Sequence, residues 1–154
     1  MLLSSCGSNA PGEVLGHYEV MAKLASNTCG SGTGATNPWL FYIELSREGP
    51  TLHWSWQRDG SPLVSGPIDA QRHAELRETR TDTAGSGKLA CSLKRDGALT
   101  FQLAEGAAPK SFAGTITYTF SIADGSCGAA LTASGGPYDT LPCAMTYDVA
   151  GKRH

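Results

Sequence analysis

The sequence has no block of basic residues: its 12 Lys and Arg are spread among 14 Asp and Glu, for a formal charge of −2. Binding to nucleic acid rests on clustered cations that neutralise phosphates, so the composition argues against such a partner. No apolar run approaches the roughly 18 residues of a membrane-spanning helix. What is abundant instead is turn chemistry, with 19 Gly and 8 Pro in 154 residues. That length and composition suit one globular domain with many short connections.

Familiar catalytic machinery is also missing. Gly85-Ser86-Gly87-Lys88 lacks the spacing of a phosphate loop and has Leu89 where a hydroxyl is required. His73-Ala74-Glu75 with Pro142-Cys143 falls short of a zinc deaminase, because Thr146 stands in the place of the second cysteine. Gly30-Ser31-Gly32-Thr33-Gly34 has glycine where a nucleophile elbow needs serine. No catalytic residue, metal or cofactor is therefore expected. His17, His53, His73 and His154 are scattered singly, and His53 falls on a polar face where an exposed imidazole is expected. Asp69, Glu75, Glu78 and Asp82 alternate with Arg72, Arg77 and Arg80, a mixture that reads as solvated surface.

Most of the chain alternates apolar and polar residues, the signature of half-buried strands. Strands are expected over 16–24, 39–45, 51–57, 72–80, 87–94, 98–104, 114–122 and 142–149. Ser46 to Pro50 forms a turn in this reading, with Ile43 opposite Trp54 and Phe41 opposite Trp56. Lys94-Arg95-Asp96-Gly97 carries Asp-Gly, a strong hairpin signal, and is taken as the turn between the fifth and sixth strands. Residues 69–80 admit a helix capped by Asp69 or a polar strand, and strand is preferred because only Leu76 could dock a helix. Eight strands form an antiparallel up-and-down barrel that leaves no exposed edge. A ninth strand over 61–65 would instead favour a β-sandwich.

Four cysteines, Cys29, Cys91, Cys127 and Cys143, remain once Cys6 is set aside, and none of their spacings suits zinc. An even number in an exported chain points to two disulfides. With strands alternating in direction all four gather at one barrel end, which favours Cys29 with Cys143 and Cys91 with Cys127. Cys127 with Cys143 stays open as an alternative.

Two short resemblances bear on function. Leu3-Ser4-Ser5-Cys6 resembles the lipobox of bacterial lipoproteins. That likeness implies that residues 1–5 are the remnant of a signal peptide, that Cys6 carries the lipid and that 6–13 form a flexible tether before a single barrel domain, 14–154. It further implies export, a cell-envelope location and attachment to a membrane. Gly16-His17-Tyr18 is similar to the opening strand of lipocalins, whose pattern is Gly-x-Trp, with Tyr18 in place of the tryptophan. A basic residue near the last strand, Arg153, is also lipocalin-like, and the resemblance implies that it packs near the first strand. It implies as well a barrel able to carry a small apolar ligand.

Trp39, Phe41, Trp54, Trp56, Tyr118, Phe120 and Tyr147 project to one side in this register. They form either a packed core or the wall of an apolar cavity, whose candidate lining is Trp39, Phe41, Trp54, Trp56, Tyr118 and Tyr147. Its mouth would be rimmed by Tyr42 or by loops 30–37 and 133–139. Together these readings describe an envelope-anchored, non-catalytic binding or structural module. A lipocalin-like carrier and a hydrolase with an unfamiliar site stand as alternatives, and a protein partner would use the cysteine-end loops.

Overall fold

A computed structural model describes residues 10–58, 61–85 and 87–154. The expected signal remnant 1–5, Cys6 and the rest of the first half of the expected tether, through residue 9, lie outside the described residues. The chain forms β1 (Glu13–Asn27), β2 (Trp39–Glu48), β3 (Thr51–Trp56), β4 (Val64–Pro67) and β5 (His73–Ala84). It continues as β6 (Cys91–Leu103), β7 (Ser111–Gly125), a one-turn helix α1 (Gly128–Leu131) and β8 (Cys143–Arg153). Each strand pairs antiparallel with the next, and β1 pairs with β8, so the sheet closes as an eight-stranded barrel. The barrel expectation holds, and the sandwich does not form.

Two errors in the expected strands offset each other. A strand does form near the considered ninth one, but as β4 over Val64–Pro67 and not over 61–65, whereas the expected Asp96-Gly97 hairpin does not exist. Residues 91–103 run straight through as β6 and are paired along their whole length with β5 and β7. The reason lies in Gly97, which stands opposite Glu78; a Cβ at that position would lie 2.7 Å from Glu78 Cγ. This glycine leaves room for a neighbour's side chain and makes no turn.

The β2–β3 register also differs from expectation. Gly49 adopts φ 57° and forms with Pro50 a two-residue connection, so Glu48 pairs with Thr51 and Ile43 lies opposite Trp56. Two-residue hairpins with glycine first suit the twist of the flanking strands, which is why the expected five-residue turn tightens. The shift is by two positions, and a shift by two keeps every side chain on its own face. Residues 73–84 are strand, as preferred. The Asp69 side chain accepts the His73 amide at 2.9 Å, and its carbonyl accepts the Arg72 amide at 3.0 Å, closing a tight turn before β5.

Alternation fills the interior. Tyr18, Ile43, Leu45, Trp54, Leu76, Leu99 and Ile116 are fully buried. Trp54 lies 5.5 Å from Phe101 and 5.6 Å from Phe112, which in turn lies 5.4 Å from Tyr18, all within the range of favourable ring contacts. Beside this cluster Gly151 has no Cβ, and one built there would run into the Phe112 ring.

Candidate functional site at the disulfide end

Both disulfides fasten the same end of the barrel. Cys29 bonds Cys143 and Cys91 bonds Cys127, with Cα atoms 5.0 and 5.4 Å apart. The preferred pairing is the one observed, and Cys127 with Cys143 is not formed. By loop closure alone, rings of 114 and 36 residues would each stabilise the fold by about 4 to 5 kcal/mol. The two bridges are consistent with an oxidising, exported location. Beside them the end of loop 133–139 is tied to the chain after β1: the Asp139 amide donates to Cys29 O at 2.8 Å, and the Asn27 carboxamide oxygen accepts the Cys29 amide at 2.9 Å.

Below these loops the candidate cavity residues mostly fill space with one another. Trp39 stacks on Trp56 at 5.8 Å and lies 4.4 Å from Phe41 and 5.7 Å from Tyr147. Trp56 meets Phe41 at 5.0 Å and Trp54 at 5.5 Å. Tyr118 joins through a charge instead, because the Arg95 guanidinium sits 4.7 Å above its ring. The hollow that remains at the mouth is about 120 Å³, with Trp39, Trp56, Arg58, Glu78, Arg80 and Arg95 around it. Small-molecule sites usually span roughly 300 to 1,000 Å³, so this space suits water or a small group better than a carried ligand.

The polar part of the mouth is the element that sequence reasoning missed. Arg95 donates to Glu78 at 3.2 Å, with the Glu78 side chain 9% and the Arg95 side chain 30% exposed. Glu78 follows Ala74 and Leu76 on the inward face, so strict period two along β5 carries the signal that the charge mixture concealed. Arg95 was hidden by its assignment to a turn. The Tyr118 hydroxyl is held well above the ordinary phenol pKa, first by burial and then by the Glu78 charge, with Arg95 drawing it partly back. Tyr147 is raised by burial alone.

Other expected positions are redistributed. Tyr42 does not rim the mouth. It alternates with Phe41, faces outward at 48% exposure and donates to Glu19 at 3.0 Å. His53 is 7% exposed, where an open imidazole was expected, because it sits mid-sheet between β2 and β4 with its Nδ1 2.7 Å from Ser65 Oγ. At the far end Arg153 pairs with Tyr18 and lies across Gly16, where a Cβ would come within 2.7 Å of its Nε. The arginine therefore packs against the first strand.

These features define a closed antiparallel barrel with a disulfide-clamped, ion-paired mouth. Comparison with family models, with curated proteins and with solved structures finds no match for the chain.

Proposed function

We propose that this chain is a lipid-anchored, non-catalytic module of the bacterial cell envelope that engages its partner through the disulfide end. The observation that carries this reading is the convergence of both disulfides on the end where the inward-facing Glu78–Arg95 pair meets solvent. Loops fixed in that way present a preorganised surface, which lowers the ordering cost of binding. The filled interior favours this reading over a carrier of an apolar compound. Anchoring through Cys6 is supported by Leu3-Ser4-Ser5 before it and by the Gly, Ser, Asn and Pro of residues 7–12, which suit a flexible tether.

The test is metabolic labelling with an alkyne-bearing palmitate in a bacterial host, using the chain together with its native upstream region. Incorporation of label, a membrane-associated fraction, and loss of both in Cys6→Ser are expected. Label that persists in Cys6→Ser, or no label in either protein, overturns the anchor.

A further inference from the structure

At the opposite end of the barrel lies a larger hollow of about 360 Å³, open to solvent beneath the core. Its apolar floor comes from Leu15, Leu103 and Pro109, and Arg47, whose Nε donates to Gly49 O at 2.8 Å, lines it together with Arg72 and Glu13. Arg72 is unusual twice over. Its φ of 65° makes it the sole non-glycine among the described residues in the left-handed region, a conformation that costs an ordinary side chain about 1 kcal/mol or more. Its Nε is buried and finds no hydrogen-bond partner among the described residues. The outward contact of the guanidinium, to Glu105 at 3.4 Å, is with a carboxylate 92% exposed.

The backbone explains how the strain is held. Asp69 accepts the Arg72 amide at 3.0 Å, and the Arg72 carbonyl accepts the Leu103 amide at 3.0 Å. Glycine or asparagine would suit such a turn without strain, so the turn alone does not account for arginine. An arginine does place there a part-exposed guanidinium, held among the described residues only by an exposed carboxylate, at a hollow with an apolar floor, where an anion can meet it.

We propose that this hollow binds a small carboxylate with a short apolar body, its head held by Arg72 and Arg47 and its body laid on Leu15, Leu103 and Pro109. The planar fork of a guanidinium matches a carboxylate in two parallel hydrogen bonds. At roughly 30 Å³ for each water-sized unit, the space holds about a dozen non-hydrogen atoms. Octanoate, with about ten, is a fitting probe. The site is separate from the mouth and does not depend on the anchor or on what binds there.

The experiment is isothermal titration calorimetry on the full, disulfide-bonded chain with octanoate, acetate, 1-octanol and octylammonium. Octanoate should bind at least tenfold more tightly than each of the other three. Arg72→Gly removes the guanidinium and relieves the strain together, so it should weaken octanoate at least tenfold while the melting temperature stays level or rises. Ala107→Glu, on the exposed rim of the hollow, places a like charge there and should weaken binding to a similar extent. If Arg72→Gly melts too early to be assayed, Ala107→Glu decides alone. Octanoate binding no tighter than 1-octanol, or undiminished in a folded Arg72→Gly or Ala107→Glu, overturns the proposal.

Discussion

Glu78 and Gly97 face each other across the β5–β6 ladder, and the space a Cβ would take at Gly97 belongs to the Glu78 side chain. That relationship lets a carboxylate turn into the barrel and reach Arg95 at 3.2 Å. Replacing Gly97 with alanine should therefore displace the carboxylate and destabilise the protein by about 1 to 3 kcal/mol, the usual range for overpacking. Urea unfolding measures it. A Gly97→Ala protein as stable as the parent would mean that the ion pair does not depend on the missing Cβ.

Glu78→Ala should cost about 1.5 to 3 kcal/mol, because it leaves a part-buried guanidinium without its charged acceptor. The double substitution Glu78→Ala with Arg95→Met should recover part of that loss, since removing both partners removes the unpaired charge. A double-mutant cycle checks the coupling. Strictly additive losses would count against a direct pair.

Alkaline pH offers an independent reading of the core. Tyr18, Tyr118 and Tyr147 are buried, and each is raised above the ordinary phenol value of 10.0. The folded chain thus holds these protons where the unfolded chain releases them. Their contribution to stability is complete below about pH 10 and is lost as pH rises from there toward the folded values, by up to about 1.4 kcal/mol per pH unit for each tyrosine. Tyrosinate absorbance followed alongside circular dichroism should show these phenols ionising together with unfolding. Ionisation of every tyrosine in a still-folded protein would contradict their burial.

Ser65, His53 and Glu48 make a row that invites a hydrolase reading, with His53 Nδ1 2.7 Å from Ser65 Oγ. The third member does not complete it. Glu48 is 71% exposed and lies 4.0 Å from His53 Nε2, beyond hydrogen-bond reach, so it does not orient the imidazole. A fluorophosphonate probe should leave Ser65 unmodified. Labelling at Ser65 would overturn the non-catalytic reading.

Much of this architecture is legible in the chain. Period two located most of the strands because each has one wet and one dry face, and the cysteine positions then selected the bridges. Gly97 misled because Asp-Gly signals a turn locally, while its actual role depends on Glu78, a residue 19 positions away that sequence spacing does not relate to it. His53 misled for a similar reason: alternation tells which face a residue takes, yet its burial depends on neighbours in adjoining strands. The hollow beneath the core was out of reach as well. Its lining is drawn from residues far apart in the chain, one of them Arg72 with its left-handed backbone, and nothing in Gln71-Arg72-His73 announces a positive φ.

Peptide mapping of the natively produced protein, alkylated and digested without reduction, bears most directly on an exported, crosslinked barrel. Mass spectrometry should find peptides joined through Cys29 with Cys143 and through Cys91 with Cys127. Recovery of those four residues as alkylated thiols would contradict both the location and the fixed binding end built upon it.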